Sequence, residues 1–487
     1  MQSDKTVCIN NPLAFMNSVY LLNHLKKQKI ISENDMNKIK FVFTYAYQIP
    51  TKIYIIFVNE NQCNNFIKSF NNKSFESSLQ HEMHLTKEEV PKELPRDPCE
   101  SQTKYTVVID YQNLWRTWYE VKEKEKGLIL VAKDPIDRMR RAAKWLLQKI
   151  GSTIIKGQSL MNISLPVFIF DKRTMLQVFV TELRTAPYFL SRAYHTPIPV
   201  ERLKWVTVFF LSQLYHSPFQ SKPFNPIIGE TFQAKLGDMN IYLEQTANKP
   251  PTASVYCFDD NKTYKYYGHV ATTASTGANS CKAHKQGKMT LEFKDGTRYT
   301  FYYPTVWVGG IIVGKCMFNY KHTMVVIDES NELASLIEFK TSEKKKKGFL
   351  GKVFGGGSSK KDKDKDNKDV SSLPDRVEGF ICSSKDVKID VKGNKHSLNK
   401  KAVTYGEITG SWIHQLRIDG ELLWKREDYQ IYQTYEMGFK LPSDSTFRKD
   451  LEVFIKGNEN EAQILKEQYE EEQRRDRKLR EDYEKKK

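Results

Sequence analysis

Lys222-Pro223-Phe224-Asn225-Pro226-Ile227-Ile228-Gly229-Glu230-Thr231-Phe232 is the stretch whose reading decides the fold. Pro223 and Pro226 fix their own φ and hold the residues before them extended. Gly229 then frees the backbone for a turn or a close approach before an alternating run begins at Thr231. The loop presents Lys222 and Asn225, a cation and a two-way hydrogen bonder, at the mouth of a strand. On spacing alone, a rigid turn carrying a solvated lysine is the plainer reading.

Downstream of Phe232 the chain is β-rich. Short apolar runs at 241–244, 253–258, 264–272, 288–293, 296–303, 323–327 and 333–339 are separated by turn residues, among them 259–261, 294–296 and 328–331. So many short antiparallel strands predict a sandwich or a barrel, and a barrel of many strands can hold a lipid-sized cavity. Strand character resumes at 376–382. Upstream the pattern is helical. Asp134-Pro135 opens a helix that ends before Gly151, with Ile136, Met139, Ala143, Leu146, Leu147 and Ile150 on one face. Arg138, Arg140, Arg141, Lys144 and Lys149 line its other side, which suits either docking on its own domain or lying on an anionic membrane. A second helical spacing starts at Pro199, and 459–487 reads as a charged terminal helix.

The 487 residues carry a formal charge of +17, which implies an anionic partner, nucleic acid or a membrane surface. The seven cysteines are scattered without a CxxC pair, so a zinc site or disulfide framework is not expected. Apolar runs stay short of the ~20 residues of a membrane helix. The first residues lack a basic segment followed by an apolar core. The expectation is a cytoplasmic protein peripherally associated with membranes. Residues 1–100 hold a predicted helix at 17–40 and strand composition at 41–47 and 52–58; they read as a small, separate α+β domain of unknown function and unknown protein partner. Residues 101–133 connect it to a large domain at 134–487, interrupted by a low-complexity insert at 344–369.

The 222–232 stretch resembles the signature KPFNPLLGET of the oxysterol-binding-protein family of lipid carriers, with Ile-Ile for Leu-Leu. Residues 157–170, GQSLMNISLPVFIF, resemble the family's lid segment. Residues 410–419 resemble its GxWxxxIxI stretch, 444–451 its DSRxRPDxxxL, and 466–474, KEQYEEEQR, its KxxLEEKQR. The resemblance implies an α+β fold: a large incomplete antiparallel barrel around a lipid tunnel, with an N-terminal lid and helical segment and a C-terminal helical region. It also implies lipid exchange without bond chemistry, and so no enzyme, cofactor or metal.

Lys466, Glu470 and Arg474 recur every four residues on one helical face, where charge alone would make an ion-pair ladder. By the resemblance, Lys466 and Arg474 meet Lys222 and Asn225 around a lipid phosphate while Glu470 orients its neighbours; three convergent cations suit such a group. The family's EQVSHHPP motif is altered at 244–251, where Asn248 and Lys249 replace both headgroup-binding histidines. Asn248 can still donate a hydrogen bond and Lys249 is a stronger point charge, so phosphate binding with altered geometry and its loss both stay open. Leu160, Ile163 and Leu165 belong to the lid at the tunnel mouth. Lys344, Lys345, Lys346 and Lys347 with Phe349 and Leu350 are either a solvated loop or a polybasic membrane contact. The expected ligands are a sterol or a phospholipid such as phosphatidylserine, with a phosphoinositide open as counter-ligand. The rival reading is a lipid-responsive adaptor that binds without exchange. Nucleic acid is not an expected partner, since no known recognition pattern accompanies the charge.

Overall fold

The computed structural model of the chain describes residues 6–10, 39–46, 49–71, 84–86, 119–120, 127–150, 164–217, 222–340, 375–426 and 434–486, apart from 278, 391–394 and 438, together with 21, 25, 29–32 and 432. The N-terminal part is a four-stranded antiparallel sheet built from Thr6–Asn10, Lys40–Ala46, Ile49–Ile56 and His84–Thr86, with the helix Glu60–Asn71. The two strands expected from composition are therefore present as a hairpin. Of the helix expected at 17–40, Leu21 and Leu25 are helical, but 29–31 form a turn and bend and Lys40 already belongs to a strand; most of the rest lies outside the described residues.

The large unit is an antiparallel barrel whose pairings run from Met239–Asn248 through successive hairpins and return to it through Thr434–Glu436 and Thr231–Leu236. Alternation explains the register. In Met239–Asn248 the residues Met239, Ile241 and Leu243 are buried while Tyr242 and Glu244 face outward. The stretch 101–133, expected only to connect, contributes to the same barrel: Leu128–Leu130 pairs with Met317 and Phe318 and with Tyr119–Glu120. Several strands were not legible in the sequence, among them Thr404–Ser411, Gln415–Ile418 and Glu421–Lys425. Ser280–Gln286 has no apolar alternation, and Thr305–Gly309 hides behind Pro304.

Three helices fill the barrel. Met175–Glu182 opens with a capping box, Thr174 and Gln177 each bonding the other's backbone N–H. Ala186–Tyr194 follows, and Pro199–His216, with Pro at its first turn, is buried over most of its length. It is held by apolar contact, with Phe210 stacked on Phe301 at 4.2 Å, and by Thr207 hydrogen-bonded to Ser335 at 2.7 Å. The helix Lys133–Ile150 turns Arg140, Arg141 and Lys144 to solvent and packs Met139 against Cys316, so it docks on the barrel. Among the described residues no helix is long and apolar enough to cross a membrane, which says nothing about strands.

The hairpins sort the loops by end. The turn after Asn248, the turn after Gly277, the loop between Gly309 and Met317, and the ends of the strands Leu333–Phe339 and Arg376–Ser383 that flank the insert all lie at one end. The 222–232 loop enters the barrel at this end too, because Thr231 pairs with Glu244 and not with Met239. The turns at 259–263, 294–297 and 329–332 lie at the other end.

Candidate functional site

At the first end, the short strand Lys222–Phe224 runs parallel to Phe170–Thr174, with Phe170 opposite Lys222. This pairing lays the Phe170 ring under two ammonium groups. Lys222 Nζ stands 4.8 Å from the ring centre and Lys466 Nζ 5.5 Å. Each contact attracts a cation by the ring quadrupole, while the two like charges repel. Lys466 comes from the terminal helix Glu459–Glu484, is buried, and donates to Glu470 at 2.5 Å and to Ser164 at 3.3 Å. Lys222 is half-buried, donates to the Asn225 side-chain oxygen, and is brought down to about 7 by burial and by the neighbouring Lys466 charge, with Glu470 opposing. A loaded anion would remove that repulsion, so the site is poised to take negative charge.

Arg474 lies one turn beyond Glu470 on the same face. It is half-exposed and pairs with Glu471 at 2.6 Å and with Glu470 at 3.5 Å. The structure thus brings Lys222, Asn225, Lys466 and Glu470 together, with Arg474 at the rim. Asn248 and Lys249 sit at the neighbouring hairpin turn, Lys249 exposed. Among the described residues no hydrogen bond or ion pair joins them to that cluster. Their strand reaches the signature loop through its backbone instead: Gly229 donates to the Gln245 carbonyl at 2.8 Å and Gln245 to the Glu230 carbonyl at 2.9 Å. Leu165 is buried with Phe170, Phe224, Leu451 and Phe454, which docks the 164–170 segment on the terminal helices. Leu160, Ile163 and the basic stretch Lys344–Lys347 with Phe349 and Leu350 lie outside the described residues.

Beneath the cluster is a buried ionic keystone that sequence reasoning missed. Arg448 makes a two-pronged pair with Asp450, at 3.0 and 2.6 Å, and reaches Glu230 at 3.1 Å and the Asn225 carbonyl at 2.7 Å. Glu230 also accepts from the Ile227 N–H at 2.8 Å and from Ser445 at 2.6 Å, and Ser445 touches the helix cap Thr174 at 3.1 Å. Burial raises the Glu230 carboxyl, and Arg448 pulls the other way. The signature loop is therefore shaped by the 444–450 motif. The only hint in the sequence was that both stretches carry family motifs; their separation of 218 residues hid the contact. A pocket of about 210 Å³ opens beside this keystone, lined by Ile227, Ile228, Pro442, Phe447 and Tyr469 among others.

The oxysterol-binding protein profile matches residues 150–487. The chain belongs to the oxysterol-binding protein family. It is 30% identical to oxysterol-binding protein 9 of Dictyostelium discoideum over 347 residues, 70% of this chain and 76% of that one. Against oxysterol-binding protein homolog 6 of Saccharomyces cerevisiae it is 30% identical over 235 residues, 46% of this chain and half of the yeast protein. Its fold is similar to the Osh3 ORD of Saccharomyces cerevisiae, solved in complex with PI(4)P, with a TM-score of 0.50 at 20% identity; the match covers 70% of this chain and 84% of that one. Of the sandwich and the barrel that strand spacing left open, the fold is the barrel.

Proposed function

We propose that the chain binds a single lipid, a sterol or a phospholipid such as phosphatidylserine, carries it between membranes without bond chemistry, and exchanges it for a phosphoinositide. In this reading it is a cytoplasmic protein that touches membranes peripherally, with residues 134–487 and the barrel strands Tyr119–Glu120 and Leu128–Leu130 as the lipid-binding domain, the stretch before them as connection and 1–100 as a separate domain. The observation that carries the reading is the meeting of Lys222 and Lys466 over the Phe170 ring at the end of the barrel. Two ammonium groups with one nearby carboxylate leave a positive surplus that a lipid phosphate neutralises with charge-assisted hydrogen bonds. Lys222, Asn225, Lys466 and Arg474 then hold the headgroup and Glu470 keeps Lys466 and Arg474 in line; Asn248 and Lys249 reach it from the adjacent turn. The PI(4)P found in the Osh3 complex is the ligand chemistry that such a site suits.

A second reading, binding without exchange, is favoured by Asn248 and Lys249, which stand where the family motif carries its two histidines. Mass spectrometry of co-purifying lipids, with Lys222→Ala/Lys466→Ala beside the wild type, separates the two. A phosphoinositide present in the wild type and lost in the variant supports exchange. A sterol or other phospholipid alone, unchanged in the variant, supports the adaptor. No lipid in either sample refutes both.

A further inference from the structure

The loop between Gly309 and Met317, at the same end as the two-lysine cluster, exposes apolar residues on a rigid frame. Val313 is 64% exposed, and Ile311 and Ile312 are half-exposed. The loop is held from below by Asn279, whose side-chain oxygen accepts from the Ile312 N–H at 2.8 Å and the Val313 N–H at 3.2 Å. Its amide donates to the Val313 carbonyl at 2.9 Å. Gly310 and Gly314 sit at φ +71° and +87°, and a methyl group on Gly310 would fall 1.8 Å from the Lys315 carbonyl oxygen. Gly309 makes room for an aromatic ring: a methyl group there would fall 2.1 Å from the Trp307 indole. The tip therefore displays Val313 by construction, with a half-exposed indole behind it.

The surroundings are cationic. Lys321 Nζ lies 3.9 Å from the Trp307 ring centre, Lys282 is the strand partner of Trp307, and Arg140 of the basic helix donates to the Gly314 carbonyl at 3.2 Å. Neither Asp nor Glu occurs between Asp260 and Glu292 or between Asp295 and Asp328. Those acidic residues all sit toward the opposite end of these strands. The wall that carries the loop is thus free of carboxylates over its upper half. Apolar side chains, a tryptophan and flanking cations on strands that lack acids there match an anionic bilayer interface, where indoles settle at headgroup level and lysines meet anionic lipid.

We propose that residues 309–316, backed by Trp307, form a preformed knuckle that enters an anionic lipid surface and sets the mouth end of the barrel against it. This gives the transfer reading its docking surface and rests on that reading, but the two are measured separately. The full chain is sedimented with vesicles of phosphatidylcholine and phosphatidylserine, and with phosphatidylcholine alone. Val313→Asp, at a solvent-exposed position, is expected to lower binding to the mixed vesicles by about tenfold, and Val313→Leu to raise it. Lys282→Ala/Lys321→Ala is expected to weaken binding at low salt and to match the wild type at high salt. Wild-type fluorescence should shift to the blue on the mixed vesicles, by less in Trp307→Phe. Equal binding of Val313→Asp and wild type overturns the proposal. So does a loss confined to deletion of 344–369, or a Val313-dependent dimer in the absence of vesicles. Lipid co-purifying with each variant is read in parallel. A wild type empty of lipid refutes the transfer reading alone, and a loaded Val313→Asp that binds vesicles normally refutes the knuckle alone.

Discussion

Arg448→Met isolates what the buried keystone contributes. The substitution roughly keeps the length of the side chain and removes the cation that touches Glu230, Asp450 and the Asn225 carbonyl. Glu230 and Asp450 are 4% and 0% exposed, so both carboxylates would be left in the interior without their counter-charge. Removing one partner of a buried pair costs about 3–5 kcal/mol, because the stranded charge is still desolvated. For a domain of roughly 340 residues, at roughly 2.1 cal/mol/K per residue, that loss lowers Tm by about 4–7 °C. The sign of the pH dependence is fixed as well. Burial raises the Glu230 carboxyl and Arg448 opposes it, so without Arg448 that group titrates above its unfolded range; the deficit is full near neutral pH and shrinks as pH falls and Glu230 protonates. Differential scanning fluorimetry at about pH 5 and about pH 7.5 reads both effects. Glu230→Gln in the Arg448→Met background should recover part of the loss, since one stranded charge is gone. A Tm within about 1 °C of wild type at neutral pH, or a deficit that grows on acidification, would refute the keystone argument.

Three further expectations concern the site and its frame. Lys222 near 7 must be protonated to hold a phosphate, so titration with a soluble phosphoinositide headgroup should weaken as pH rises from about 6 to about 8, a dependence that Lys222→Ala abolishes. Lys466→Ala should lower the same affinity by about tenfold or more by removing a charge-assisted bond, with Tm changed far less than in Arg448→Met, while Lys466→Arg restores charge without the fit beside Phe170. Burial, with Asp259 and Asp260 close by, pushes the Asp238 carboxyl up to about 8. Its folded state therefore loses stability as pH climbs from about 4 to about 8, and Asp238→Asn should raise Tm at the upper end of that window and leave it unchanged at the lower end.

The barrel was legible because its turns carry their own chemistry. The expected strand at 333–339 is found at Leu333–Phe339, and that at 288–293 at Met289–Phe293, each bounded by the Asp, Asn and Gly residues read as turns. Ser280–Gln286 escaped because cationic and small residues do not advertise a strand; it is held by pairing on both sides rather than by propensity. The helix face Lys466–Glu470–Arg474 was legible from a spacing of four. That Lys222 and Lys466 would share a ring was not, because Phe170 enters through a parallel pair between segments with no periodic link. The exposed Val313 was silent for the opposite reason, since a short apolar run in a sequence reads the same on a surface as in a core.

The two-lysine cluster joins segments that are synthesised far apart in time. Lys466 meets Ser164 across 302 residues and Arg448 meets Glu230 across 218. At about 5–20 residues per second, translation separates the signature loop from its keystone by roughly 10–45 s. Most of the barrel strands, from Met239–Asn248 to Thr434–Glu436, are made during that interval, and only at its end do the arginine that shapes the loop and then the second ammonium emerge. In the proposed reading, headgroup capture would wait for the C-terminal helix, and a cut ahead of Glu459 would remove Lys466 while removing no barrel strand.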